Sequence, residues 1–150
     1  TKELLLLGIP TRGIQLARVL SRELEDKVGH PIEQGIIDPT FHRDDLVRVG
    51  TRMVPTTDIS SSLEGRQVLL VDDVIFTGRT VRAALESLQA WGRAKKVMLL
   101  VMVDRGHREL PIQPDFCGRK VPTRRQETIE LKLMEVDAEE GVFLSKSPQL

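Results

Sequence analysis

Two adjacent carboxylates and a hydroxyl-rich turn stand together in the chain, between an apolar run and a segment with helical spacing. The carboxylates are Asp72 and Asp73, and the turn contains Thr77, Gly78 and Thr80. At the start of a helix, unpaired backbone N–H groups and these hydroxyls can hold a phosphate, while the glycine lets the backbone approach closely. The carboxylates suit the hydroxyls of a neighbouring sugar. The pattern therefore predicts a site for a ribose 5-phosphate group.

The elements around this turn agree with that prediction. Residues 68–71 have the continuous apolar, β-branched character of a strand buried on both faces of a parallel sheet. Residues 81–91 carry apolar side chains at helical spacing. The turn is therefore expected at the carboxyl end of a strand.

Two common nucleotide-binding signatures are missing. The sequence contains neither G-x-x-x-x-G-K-[ST] nor G-x-G-x-x-G, which argues against a nucleoside triphosphatase and a dinucleotide-binding protein. An aspartate pair that only caps a helix, or a receiver-like acidic pocket, stays open as an alternative.

Two further predicted strands are also followed by residues that could bind a ligand. A strand at 4–7 and a helix at 14–25 flank a turn that contains Thr11, Arg12 and Gly13, whose amides and arginine fork could hold a pyrophosphate. A third apolar strand, 97–103, leads into Asp104 and Arg105. Open α/β sheets bind ligands at the carboxyl edge of their strands, so the three turns are expected to meet there.

The remaining segments show weaker patterns. We expect a strand at 32–38, no sustained period at 39–64, a half-exposed alternating strand at 129–134, and a segment at 141–144 that pairs with it. Residues 105–125 are rich in Lys and Arg, and residues 126–150 are acidic.

Length and composition limit the classes of protein to which this chain can belong. The chain has 150 residues, enough for one domain spanning 1–150, and its 22 basic and 22 acidic residues cancel. The single cysteine, Cys117, has no disulfide partner, and the apolar runs are too short to cross a membrane. We therefore expect a cytoplasmic protein with no membrane association and no metal site of its own.

Three stretches together carry a resemblance to a known family: residues 8–13, 77–85 and 103–111. In these the chain resembles the pyrimidine operon regulators that double as uracil phosphoribosyltransferases, a group of type I phosphoribosyltransferases. The resemblance covers nearly the whole chain. It implies an α/β fold with a central, mainly parallel sheet flanked by helices, a small hood and a flexible flap or hairpin at 39–64. The family begins with a helix before the first strand, and we expect this helix to be missing here.

The resemblance implies conversion of uracil and PRPP (5-phosphoribosyl 1-pyrophosphate) to UMP and pyrophosphate, with Mg²⁺ bound through PRPP. Asp72, Asp73 and Arg12 would be catalytic, and Asp104 and Arg105 would bind the base. The resemblance assigns binding of PRPP and nucleotide to the following positions: Thr11, Arg12, Gly13, Arg43, Asp72, Asp73, Thr77, Gly78, Arg79 and Thr80.

The family also suggests partners beyond the substrates. These are UMP or UTP as a signal, a homo-oligomer (dimer or tetramer), and the pyr mRNA leader, bound in a nucleotide-dependent way to control transcription attenuation. The positions that match the RNA-binding surface are Thr11, His107, Arg108, Arg119 and Thr123.

Other readings remain open. Pro39, Phe41 and His42 depart from the family's flap pattern beside Arg43. Asp104 could instead pair with an arginine to fix its loop, and the basic run could be a solvated surface. Catalysis could be vestigial in an RNA-binding nucleotide sensor, or the base could be orotate or a purine.

Overall fold

The centre of the molecule is a five-stranded parallel sheet with the strand order β2-β1-β3-β4-β5. The computed structural model describes residues 3–10, 12–40 and 57–146. Their elements, in chain order, are β1 (Leu4–Gly8), α1 (Arg12–Val28), β2 (Glu33–Ile36), β3 (Gln67–Ile75), α2 (Arg79–Leu88), β4 (Lys96–Asp104), β5 (Phe116–Lys120), β6 (Glu127–Lys132), α3 (Met134–Asp137) and β7 (Gly141–Lys146).

The strand order creates a crevice between β1 and β3. From β1 the chain moves to β2 on one side, and it later returns to β3 on the other side. The connections leaving β1 and β3 therefore diverge at this point, which is where open α/β sheets bind ligands. The phosphate and pyrophosphate turns predicted from the sequence follow these two strands.

Strand β3 is buried on both faces, which explains its continuous apolar sequence. Leu70 packs in one apolar cluster with Val81 and Leu88 of α2, and Val71 packs in the other cluster with Leu16 of α1. Side chains alternate across a strand, so the two faces need apolar residues in succession. The sheet thus holds α1 and α2 on opposite sides and positions the starts of both helices.

Most of the predicted elements are confirmed, with shifted ends. The strands at 4–7, 68–71 and 97–103 are present and longer, and the helix at 14–25 begins earlier, at Arg12. The predicted strand at 32–38 is shorter, and the helix at 81–91 ends in a 3₁₀ turn, Gln89–Trp91. Strand β5 was not predicted, because an exposed edge strand with a central glycine shows no apolar period.

The strand predicted at 129–134 lies at Glu127–Lys132 instead, because the chain enters α3 at Met134, and its predicted pairing with 141–144 is confirmed. Strands β6 and β7 form an antiparallel pair in which Ile129 lies opposite Leu144 and Leu131 lies opposite Val142. Leu131 is buried in the apolar cluster that contains Leu16. The hairpin, meaning β6, α3 and β7 together, is thereby attached over α1 and β3.

Most of the predicted flap lies outside the described residues. Residues 41–56, which include Arg43, belong to that part, and so does Thr11. No helix in the described ranges combines the length and the apolar character that crossing a bilayer requires.

Gly13 provides a test of the close packing between α1 and β3. A Cβ atom at this position would lie 2.3 Å from the Val71 carbonyl oxygen, a backbone atom. Gly13→Ala should therefore lower the free energy of unfolding by about 2 kcal/mol, although alanine favours helix. Chemical denaturation measures this, with the exposed Arg18→Ala on the same helix as the control. Equal stability of G13A and the wild type would contradict the described packing.

Candidate functional site

A cavity of about 340 Å³ opens at the carboxyl ends of β1 and β3. It brings together Arg12, from the turn after β1, and Asp73, from the end of β3. Arg12 of the predicted pyrophosphate turn and one of the two predicted ribose carboxylates, Asp73, therefore face one space. Among the described residues the lining is Pro10, Arg12, Asp73, Ile129, Glu130 and Leu131, so three residues of β6 face Arg12 and Asp73 across the cavity.

The turn between β1 and α1 is held tightly against β3. The Ile9 N–H donates to the Val71 carbonyl over 2.9 Å, and Gly13 lies against the same carbonyl oxygen. Arg12, the first residue of α1, is therefore fixed at its backbone. Its Nη2 donates to the Asp137 carboxylate over 2.5 Å, and its Nε donates to the Leu131 carbonyl over 3.3 Å.

The two neighbouring aspartates have different surroundings. Asp72 is buried, and its Oδ1 accepts the Asp73 N–H over 2.9 Å. Asp73 is half-buried, and its Oδ1 accepts the Val74 N–H over 2.7 Å. Asp73 makes no other side-chain hydrogen bond to a described residue, so it can accept a ligand's hydroxyl groups. The Asp72 carboxylate thus fixes the backbone of Asp73, whose side chain lines the cavity.

The turn after β3 has the geometry of an anion site. Gly78 is the N-cap residue of α2 and has φ 91°, a conformation that favours glycine. No side chain caps this helix start, and Thr77 Oγ1 accepts only the Arg79 N–H, over 3.3 Å, among the described residues. N–H groups of the first turn of α2 beyond Arg79 can therefore bind a phosphate, as at other helix starts.

The loop after β4 supports this turn. Arg108 donates from Nη1 to the Phe76 carbonyl over 2.7 Å and from Nε to the Ile112 carbonyl over 2.8 Å. The Glu109 N–H donates to the Thr77 carbonyl over 2.9 Å. This contact between two motifs was not predicted from the sequence, because nothing in the spacing of loop residues shows that the loop after β4 folds against the turn after β3.

Asp104 and Arg108 form a largely buried ion pair with an Nη2–Oδ2 distance of 2.7 Å. Burial alone raises the pKa of the Asp104 carboxyl. Hydrogen bonds from Arg108 and the Gly106 N–H, together with the charges of Arg108 and Lys120, outweigh burial and hold this pKa below its ordinary value. Asp104 thus takes part in an Asp–Arg pair that fixes its loop, but with Arg108 rather than Arg105.

Arg105 is only 7% exposed. Its guanidinium lies 3.9 Å from the centre of the Phe76 ring and donates to the carbonyls of Arg124 and Arg125 over 3.1 and 3.3 Å. Burial lowers the pKa of Arg105. The side chains of Asp104 and Arg105 thus both make contacts within the protein, although Arg105 Nε has no hydrogen-bond partner among the described residues. Their contact with a base stays a prediction.

Apart from Thr11, which lies outside the described residues, the residues predicted to bind RNA fall into two groups. His107 and Thr123 face one another inside the loop: His107 Nε2 lies 2.7 Å from the Thr123 carbonyl oxygen, and the Thr123 hydroxyl donates to the Arg105 carbonyl. Arg108 belongs with them. Arg119, on β5, is exposed and makes no ion pair with a described residue.

The described residues contain no group of three or more His, Cys, Asp or Glu side chains that could hold a metal ion. Cys117 is half-buried and packs against the apolar cluster between the sheet and α2.

The chain matches known proteins in sequence and in fold. Residues 1–129 match the phosphoribosyl transferase domain family. The protein named bifunctional protein PyrR from Microcystis aeruginosa is 48% identical over 143 residues, covering 95% of this chain and 81% of the relative. Its namesake from Thermosynechococcus vestitus is 49% identical over 144 residues, covering 96% and 79%. In fold, the chain resembles a hypoxanthine phosphoribosyltransferase of Trypanosoma cruzi, with a TM-score of 0.69, 19% identity, and coverage of 97% and 77%.

The pKa of Asp104 leads to a pH-dependent prediction. Because folding lowers this pKa, the carboxylate contributes stability at neutral pH, and the contribution is lost as pH falls from about 4 through the folded-state pKa. Asp104→Asn should cost about 3 kcal/mol near neutral pH by leaving Arg108 unpaired, and less at lower pH. Urea unfolding at several pH values measures this, with the exposed Asp26→Asn as the control. A pH-independent difference would contradict the assignment.

Proposed function

The chain belongs to the phosphoribosyl transferase domain family and to the group of proteins named bifunctional protein PyrR, and from this premise we propose that it is a uracil phosphoribosyltransferase. The reaction joins uracil to the ribose of PRPP, forming UMP and releasing pyrophosphate. The observation that carries the proposal is the placement of Arg12 and Asp73 on one cavity at the carboxyl edge of the sheet.

Each substrate group has a matching surface. The uncapped start of α2 and the hydroxyls of Thr77 and Thr80 suit the 5′-phosphate. Asp73, supported by Asp72, suits the ribose hydroxyls, and Arg12 suits the departing pyrophosphate. The two anionic ends of PRPP would therefore bind separate turns, with the ribose between them.

Catalysis by such a site consists mainly of positioning and charge stabilisation. Displacement at the anomeric carbon passes through a state with positive charge on the ribose ring, and this state needs no covalent bond to the protein. Asp73 can stabilise that charge while it holds the hydroxyls. Arg12 can neutralise negative charge as the bond to pyrophosphate breaks.

Mg²⁺ would arrive bound to PRPP, where it neutralises phosphate charge and retains several waters. The donor set agrees with this arrangement, because Asp73 offers the cavity a carboxylate oxygen of the kind that magnesium prefers. The base would lie near the end of β4, beside Asp104 and Arg105. Uracil as the base is supported by residues 103–111, the motif by which the chain resembles this group.

A second function, binding of pyr mRNA controlled by uridine nucleotide, is supported by the charge distribution. Arg119 and Lys120 on β5 and Arg124 and Arg125 beyond it are exposed. Exposed basic groups can contact RNA phosphates. The loop after β4 joins this surface to the phosphate turn, so nucleotide in the site can alter RNA affinity through it.

Oligomerisation and location complete the proposal. Met102 and Phe116 are exposed apolar side chains on adjacent strands, β4 and β5, and a dimer or tetramer could bury them. The substrates and the RNA would be met in the cytoplasm.

Asp73→Asn tests the enzyme. Loss of the carboxylate should lower kcat/KM for PRPP by about 100-fold, because the ribose loses its charge-stabilising partner. Pyrophosphate release is measured with Mg²⁺, PRPP and uracil, orotate, hypoxanthine or no base, with Asp26→Asn as the matched control. If the protein released pyrophosphate with another base and not with uracil, the proposed base would be wrong. UMP binding by the wild type without turnover would favour a nucleotide sensor that lacks catalysis.

Arg119→Ala tests RNA binding. Removing one phosphate-contacting cation should weaken binding of the pyr leader RNA about fivefold and reduce the slope of log K against log salt by about one. Filter binding over a salt series, with and without UMP, measures both effects. The control is Lys96→Ala, which removes an exposed cation at the opposite end of the sheet. If both variants weakened RNA binding equally, the attraction would be non-specific, and the proposed RNA-binding role of Arg119 would be contradicted.

A further inference from the structure

The side chain of Arg12 is held by one segment of the protein, the hairpin. Its two acceptors, the Asp137 carboxylate and the Leu131 carbonyl, both belong to that hairpin. An arginine side chain has about 2 kcal/mol of rotamer entropy to lose when it binds a ligand. Two fixed acceptors restrict the guanidinium before any ligand arrives.

Asp137 is itself fixed in place. Its Oδ2 accepts the Leu133 N–H over 2.9 Å, and its own N–H donates to the Leu133 carbonyl over 2.8 Å. The carboxylate is only 15% exposed. One carboxylate oxygen thus closes the turn of α3, and the other faces Arg12.

The body of the protein sets the distance between the two residues. Leu131 is buried with Leu16, which lies one helical turn beyond Arg12 on α1. Both partners of the ion pair are therefore attached to the same apolar cluster. Their contact follows from core packing, unlike a pairing of two flexible surface side chains.

Arg12 retains hydrogen-bonding capacity towards the cavity. A guanidinium has about five N–H donors, and the two contacts described here use Nε and Nη2. Among the described residues, none accepts from Nη1. With the other side anchored to the hairpin, these remaining donors can meet an anion in the cavity that Arg12 shares with Asp73.

We propose that Asp137 is a positioning residue that orients Arg12 for the pyrophosphate group of PRPP. The inference rests on the proposed function, because that function gives Arg12 its ligand. The opposite role would be competition, in which the Asp137 carboxylate occupies Arg12 and excludes the anion. Positioning requires pyrophosphate binding to weaken when the carboxylate charge is removed, whereas competition requires it to strengthen.

Asp137→Asn separates these roles in the full chain. The amide oxygen can still accept the Leu133 N–H, so the turn is kept while the charged partner of Arg12 is lost. We expect KM for PRPP in the forward reaction and KM for pyrophosphate in the reverse reaction to rise about tenfold. We expect KM for uracil and KM for UMP to change less than about twofold, because neither ligand contains the pyrophosphate group.

Glu135→Gln is the matched control. It removes another Arg–carboxylate pair of the same turn, that of Glu135 with Arg22, whose side chains are 55% and 61% exposed. All the KM values should stay unchanged in this variant. A lower KM for PRPP in D137N would establish competition and overturn the proposal. Equal rises of KM for every substrate, with a lower Tm, would also overturn it.

Direct titration of PRPP in the presence of Mg²⁺ separates this inference from the proposed reaction. If the wild type binds PRPP but turns over no base, the proposed activity fails, and a tenfold weaker affinity of D137N for PRPP still supports positioning. Equal PRPP affinities of the wild type and D137N would overturn positioning even in an active enzyme. Absence of PRPP binding to the wild type would overturn both proposals.

Discussion

The contact of the first turn with the central strand is the constraint on which the site depends. The Val71 carbonyl accepts the Ile9 N–H, and the same oxygen leaves no room for a side chain at Gly13. The start of α1 and the middle of β3, two residues before Asp73, are therefore held together by backbone atoms. This contact sets the relative positions of Arg12 and Asp73, which line one cavity.

A second contact supports the phosphate side. The loop after β4 connects to the turn after β3 through Arg108 and through the Glu109 N–H. Asp104 neutralises Arg108, and this pairing lets a cation lie among carbonyl groups with little exposure to water. The loop after β4 thus supports the turn after β3, which would hold the phosphate.

The central sheet could be predicted because its strands are buried on both faces and read as continuous apolar runs. The meeting of Arg12 with Asp73 could also be predicted, since parallel strands end at one edge. Strand β5 could not be predicted. It lies at the edge of the sheet, where exposed side chains and a glycine, Gly118, are tolerated, so its sequence shows no apolar period. The pairing of Arg12 with Asp137 could not be predicted either, since local spacing does not show where a hairpin folds back.

The sequence indicates where the binding turns lie more clearly than it indicates which side chains face a ligand. Arg108 was expected on an RNA-binding surface, yet three of its nitrogen atoms donate to groups within its own loop and the neighbouring turn. Its RNA-binding role stays a prediction. A basic residue in a charged segment has the same sequence signature whether it faces solvent or an internal carbonyl, and only the tertiary structure separates the two cases.

The ion pair between Arg12 and Asp137 also has a consequence during synthesis of the chain. Its partners are separated by 125 positions in the sequence, so the arginine emerges from the ribosome long before its carboxylate. Domains fold as their chains emerge, and the parallel sheet needs only the residues up to the end of β5. All five strands of the sheet are therefore synthesised before the partner of Arg12 is. Anchoring of that arginine by the hairpin is then among the last events of maturation.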